Sequence, residues 1–178
     1  MDYYTLKIGH IARRLPIVSI SPKIKIASFN LLGDRELVEY IAQNIYKKIK
    51  RLDFDYLVGP EVKVVPLLHE LSKLFAKQRY VICRKNIHAY MVSPIRSKYK
   101  PELVLDGRDI AEIKGKKVII IDDVVSSGKT FSALEELMQM AEAKIIYQIA
   151  IFKQGEGAEK LTGVDFLYTL PIFTSKVT

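Results

Sequence analysis

Residues Val118 to Thr130 read Val-Ile-Ile-Ile-Asp-Asp-Val-Val-Ser-Ser-Gly-Lys-Thr, and this run restricts the fold more than any other part of the chain. Four β-branched residues in succession suit a strand covered on both faces, the habit of a parallel sheet packed between helices. Two acids close the strand and a loop of small residues follows. Phe131 to about Met140 then brings apolar residues round at helical spacing. Strand, loop and helix in that order put the loop at the carboxyl end of a parallel strand, where open α/β sheets place ligands. Ser126, Ser127, Gly128, Lys129 and Thr130 offer hydroxyls, backbone N–H groups and one ammonium to a phosphate. The helix start behind them adds a favourable dipole.

One look-alike is removed by spacing. Ser127-Gly128-Lys129-Thr130 imitates the end of a Walker A loop, but that loop needs a glycine five residues before Gly128, where this chain has Asp123. Asp122 and Asp123 are neighbours on a strand and so are expected on opposite faces, which argues against a proton-sharing pair. They suit two hydroxyls, or one hydroxyl and a magnesium ion, because hard cations prefer oxygen ligands. The plainer alternative makes them turn formers and helix caps. The phosphate-type loop directly after them argues against it.

The rest of the chain alternates strands and helices. Asp34 to Arg51 is expected to be a helix with Asp34 as N-cap and Leu37, Ile41, Ile45 and Ile49 on one face. Asp55 to Gly59 reads as a short strand, and Pro66 suits the first turn of the next helix. Tyr80 to Arg84 is strand again. Ala89 to Pro94 is expected as an edge strand, Ile95 to Lys100 as a polar loop and Glu102 to Asp106 as the hairpin partner. Ile145 to Phe152 follows the main helix as a further strand. Residues 1–33 carry Pro16 and Pro22 without helical periodicity, and read as a small cap beside a core at 34–178, all in one domain.

Two more strand ends carry charge. Gly59-Pro60-Glu61-Val62-Lys63 closes one strand with an acid and a base, and Arg84-Lys85 closes the next. On the ligand side of a parallel sheet, three cations there neutralise a pyrophosphate. The alternative is that Arg84 and Lys85 are exposed strand-end charges.

The thirteen-residue run resembles the phosphoribosylpyrophosphate-binding motif of the type I phosphoribosyltransferases. The resemblance implies a Rossmann-like parallel sheet flanked by helices, with a small N-terminal hood. By the same match Asp122 and Asp123 hold the ribose hydroxyls and Mg2+, Ser126 to Thr130 take the 5′-phosphate, and Val124 and Val125 lie by the base. Lys129 departs from the glycine common there, adding charge or crowding the site. The Gly59 to Lys63 turn, Arg84-Lys85 and the stretches at 152–157 and 161–163 are similar to the adenine-type branch and its archaeal purine members. That implies a pyrophosphate loop of Glu61, Val62 and Lys63, with Arg84, Lys85 and His88 reaching the leaving group. A lid near Ile95 to Lys100 would bring Lys98 and Tyr99 to the reaction and exclude water. This lid lacks the acid that adenine-specific members place beside the tyrosine, and Lys63 and Val64 replace the usual Arg and Gly of the pyrophosphate turn. Phe29 is the candidate for stacking on a purine, with a core role as its alternative.

The expected activity is therefore purine phosphoribosyl transfer, adenine ahead of hypoxanthine and guanine, by a homodimer. The alternative is a phosphoribosylpyrophosphate-sensing regulator that binds nucleic acid. The net charge of +8 permits a polyanion. Much of that charge sits in local runs, Lys47 to Arg51 and Lys114 to Lys117, that read as solvated faces, so nucleic acid is not the expected partner. Cys83 is the single cysteine, excluding an internal disulfide. No signal-peptide pattern and no apolar stretch of spanning length is present, so the expected location is cytoplasmic, away from membrane.

Overall fold

The computed structural model describes residues 2–155, 157 and 161–174. Its centre is the strand that the β-branched run requires: β8, Lys117–Val125. Around it lie β4 (Tyr56–Pro60), β5 (Val81–Cys83), β9 (Lys144–Gln154) and β10 (Asp165–Leu170) in the order β10-β9-β8-β4-β5, every neighbouring pair parallel. Helices α1 (Arg35–Ile49) and α2 (Val65–Leu74) cover one face, and α3 (Gly107–Ile113) and α4 (Lys129–Met140) the other. Alternate residues of β8 serve the two cores: Ile119 and Ile121 pack with Leu37, Ile41 and Leu68, while Val118 and Ile120 pack with Leu134, Leu137 and Ile113. All four β8 residues are fully buried, as an interior parallel strand demands.

Helix α1 begins as expected, with Asp34 Oδ1 accepting the Leu37 N–H at 3.1 Å, but ends at Ile49, inside the basic run, with Lys47 and Lys48 in its last turn. Arg13 bonds the same aspartate at 2.6 and 2.9 Å and so ties the cap to the helix start. The cap is a four-stranded antiparallel sheet of β1 (Tyr3–Ile8), β2 (Ile11–Ser21), β3 (Ile24–Ala27) and β11 (Ile172–Thr174). Its last strand comes from the far end of the chain, so residues 1–33 do not build it alone. Gln154 fastens it to the core, its buried amide donating to Ala27 O at 3.3 Å and Pro171 O at 3.4 Å.

The hairpin differs from expectation. Ala89 to Pro94 forms turns, and the pairing is β6 (Ile95–Arg96) with β7 (Val104–Leu105). Local bonds outcompete a ladder there: Met91 N donates to His88 O, and Val92 N to Asp106 Oδ1. Asp106 then caps α3, and Gly107 is required because a Cβ would meet Val92 O at 2.3 Å.

Candidate functional site

The carboxyl ends of β4, β5 and β8 meet the cap around a cavity of about 580 Å³. Asp122, Asp123, Val124 and Thr130 line it from β8 and α4. Pro60 closes β4, Glu61, Val62 and Lys63 come from the turn after it, Lys85 from just beyond β5, and Ser28, Phe29, Asn30 and Leu32 from the segment leaving the cap.

The two acids do not separate as strand alternation alone implied. β8 keeps its β9 partner through Val125 but has none from β4 beyond Ile120, and both acids line the same cavity. Asp122 is 6% exposed, and its Oδ1 accepts the Asp123 N–H at 2.8 Å. Burial, then the negative charge of Asp123, push the Asp122 carboxyl well above the usual carboxylate range, with Lys63 pulling weakly the other way. Asp123 Oδ1 accepts the Val124 N–H at 2.9 Å, while its buried Oδ2 has no hydrogen-bond partner. The Lys63 ammonium stands 3.5 Å from that oxygen, an ion-pair contact outside hydrogen-bonding range. A buried acceptor left open beside a cavity suits a ligand hydroxyl or a cation. No cluster of three or more candidate metal-ligating side chains occurs among the described residues, so a magnesium ion here would draw most of its oxygens from a bound ligand.

Gly128 begins α4 in the left-handed conformation at φ 75°, which glycine adopts without a Cβ penalty. Thr130 faces the main cavity. Ser126 and Ser127 line a neighbouring one of about 530 Å³ with Gln154, Gly155, Gly157, Ile24, Ile172 and Thr174. Lys129 is exposed at the first residue of α4. Glu156, within the 152–157 match, lies outside the described residues. Val124 reaches the cavity, but Val125 turns into the core with Phe131 and Leu134 and does not line it. Phe29 has a core role, buried edge-on against Phe152 with centroids 4.6 Å apart, and it also lines the cavity.

Four other expected residues stand elsewhere. Lys98 and Tyr99 do not line the cavity. Their backbone N–H groups both point to Glu136 of α4, at 2.6 and 3.4 Å, and the Tyr99 side chain is exposed. Pro101 and Leu103 of the same loop form the wall instead. Arg84 is also outside the lining, because its guanidinium is spent on Glu61, on Tyr90 Oη at 2.6 Å and on His88 Nε2 at 3.0 Å. His88 therefore faces Arg84 and stacks on Tyr90. Lys63 meets Asp123 and donates to Phe29 O at 3.2 Å, joining the turn after β4 to the cap side of the cavity. Ser28, Asn30, Leu32, Pro101 and Leu103 had no local pattern to betray them. Glu136 had only its place on the exposed side of an amphipathic helix.

Residues 32–176 match the phosphoribosyl transferase domain family. A hypoxanthine/guanine phosphoribosyltransferase from a Methanocaldococcus species is 34% identical over 155 residues, covering 82% of this chain and 76% of the relative. An adenine phosphoribosyltransferase from Petrotoga mobilis is 31% identical over 121 residues, covering 65% and 68%. The crystal structure of adenine phosphoribosyltransferase from Thermoanaerobacter pseudethanolicus superposes with a TM-score of 0.72 at 21% identity, covering 87% of this chain and 95% of that one, a likeness of fold.

Proposed function

Since the chain belongs to the type I phosphoribosyltransferase family, we propose that it transfers the 5-phosphoribosyl group of phosphoribosylpyrophosphate to a purine base, giving the nucleoside monophosphate and pyrophosphate. The observation that carries this reading is the shared cavity. A buried acid and a half-buried one with an open oxygen face the same space as Lys63, Lys85 and the first turn of α4. That arrangement supplies acceptors for ribose hydroxyls, cations for a diphosphate and helix-start N–H groups for a phosphate.

In this reading a ring nitrogen of the base attacks the anomeric carbon as its bond to the pyrophosphate oxygen breaks. Asp122 and Asp123 orient the ribose through its hydroxyls. Lys63 and Lys85 stabilise the charge growing on the leaving group. Phe29 and Val124 bound the base, and Pro101 and Leu103 narrow the access of water. The protein supplies no nucleophile; orientation and electrostatics carry the reaction. Magnesium, held by Asp122 or Asp123 together with ligand oxygens, would supply further charge neutralisation. The sequence resemblance places adenine first, while the Methanocaldococcus relative is named for hypoxanthine and guanine. The acceptor class proposed is therefore purine, with these three bases as candidates and a homodimer as the assembly.

The test is pyrophosphate release from phosphoribosylpyrophosphate and magnesium, with adenine, hypoxanthine, guanine, xanthine, uracil and orotate offered singly. Turnover confined to purines supports the reading and ranks the bases. Turnover with only a pyrimidine, or none despite folded protein, overturns it.

A further inference from the structure

The loop between β6 and β7 is a hairpin with a stiff root and a lightly held tip. Ile95 pairs with Leu105 and Arg96 with Val104. Ser97 extends the root, its N–H donating to Leu103 O at 2.9 Å and its Oγ accepting the Leu103 N–H at 2.9 Å. An ion pair of Arg96 with Glu102, at 2.5 Å, crosses the same rungs. The tip beyond Ser97 carries Lys98, Tyr99 and Lys100, and the chain returns through Pro101, which with Leu103 walls the cavity. The Lys98 N–H, at 2.6 Å, and the Tyr99 N–H, at 3.4 Å, both donate to Glu136 Oε2 on α4. Among the described residues no other hydrogen bond or ion pair joins Lys98, Tyr99 or Lys100 to another element.

Glu136 has no cation on its own helix. Its neighbours three and four residues away are Ser132, Ala133, Gln139 and Met140. Glu135, beside it, is committed to Gln148 Nε2 at 2.7 Å. The Glu136 carboxylate is thus left to the two hairpin N–H groups, and its charge makes each bond stronger than a neutral one. Lys98 and Lys100 are exposed, and among the described residues neither ammonium has an acidic partner. A ligand with several phosphate charges in the cavity beside Pro101 would attract both. A shift of the tip by more than about 1 Å towards the cavity breaks both Glu136 bonds, because a hydrogen bond is lost by about 3.6 Å.

We infer that Glu136 is a latch: it parks the tip of the β6–β7 hairpin on α4 and competes with a polyanionic ligand for that tip, so the ligand binds less tightly than the cavity alone would allow. The inference rests on the proposed function for the identity of the ligand, phosphoribosylpyrophosphate. It goes beyond that reading by giving a residue outside the cavity control over how often the tip is available. A protein whose binding-competent state is only partly populated shows an affinity reduced by that fraction. Loss of the latch therefore strengthens binding, the reverse of what loss of a wall or contact residue does.

The experiment combines amide hydrogen exchange at Lys98 and Tyr99, read by NMR, with the dissociation constant of phosphoribosylpyrophosphate and magnesium, read by calorimetry. In Glu136→Ala both amides should exchange at least about fivefold faster than in the native protein, while the Leu103 amide, held by Ser97, keeps its rate. Binding should tighten about two- to tenfold, the weight of one or two exposed hydrogen bonds. Glu136→Asp keeps the charge but is one methylene too short to reach the N–H groups, so it should behave like Glu136→Ala. Glu135→Gln removes the neighbouring charge and leaves the latch, so it should bind as the native protein does. Unchanged exchange in Glu136→Ala overturns the inference. Unchanged or weaker binding does so too, since the contact would then be idle or part of the site. Equal tightening in Glu135→Gln, or none in Glu136→Asp, overturns it in favour of a general effect of removing an acid near an anion. Failure of the proposed function reads differently: the native protein and Glu136→Ala then neither bind the ligand nor turn over, and exchange alone decides the latch. Circular dichroism and thermal melting confirm that each variant is folded.

Discussion

Asp122→Asn should make the protein more stable while removing its ability to hold phosphoribosylpyrophosphate. Asp122 is 6% exposed beside a second acid, and burial and Asp123 together hold its carboxyl above the usual range. A folded-state value above the unfolded one means that the native state binds the extra proton. Stability contributed by this group is therefore present at low pH and falls as pH rises from about 4 through the raised folded value. At neutral pH an ionised Asp122 is a cost. Asparagine keeps an oxygen to accept the Asp123 N–H, a bond of 2.8 Å in the native protein, and removes the charge. Relief of one such conflict is worth about 1–2 kcal/mol, or about 2–8 °C in Tm for a chain of this size. The assay is thermal unfolding of both proteins at about pH 8 and again at about pH 4, paired with ligand calorimetry. The gain should be present at the higher pH and shrink at the lower. A variant less stable than the native protein at the higher pH would refute the electrostatic reasoning, and undiminished ligand affinity would refute the site.

Three further outcomes are expected. Gly128→Ala forces a Cβ into the left-handed region and to 2.5 Å from Leu161 Cδ2, so it should cost at least about 1–2 kcal/mol and weaken inorganic phosphate binding; unchanged melting and affinity would count against this loop as a phosphate cradle. Gln154→Leu strips the donor from Ala27 O and Pro171 O, at a cost of about 1–3 kcal/mol, and should raise KM for the base more than for phosphoribosylpyrophosphate because Ala27 leads into the Phe29 wall; equal effects on both would sink that link. Asp106 is held down to about 2, first by its bond to Arg108 and then by the Arg108 and Val92 N–H groups, so its contribution is fully present above the ordinary carboxylate range and lost as pH falls through about 2. The stability gap between native protein and Asp106→Asn should therefore close in acid urea titrations, and a constant gap contradicts the pairing.

Where chemistry and periodicity share a short segment, the residues alone are sufficient. Val118 to Thr130 holds a two-sided strand, its two acids, the turn glycine and the helix start within one run, and each follows from sterics and burial among near neighbours. Asp34 and the Leu37, Ile41, Ile45 and Ile49 stripe locate α1 for the same reason. Residues that meet only after the chain has folded left no such trace. The cap sheet needs Ile172–Thr174 to pair with Ile24–Ala27, partners from opposite ends of the chain, and no local pattern encodes that meeting. Asp122 and Asp123 alternate on paper yet share a cavity, because β8 has lost its β4 neighbour by then, although β9 still pairs with it, and the open edge lets both acids reach one space. A basic residue at the end of β5 is visible in the letters. Whether its charge goes to a ligand or to Glu61 depends on how closely the turn after β4 approaches it, and only the packing of β4 against β5 sets that distance.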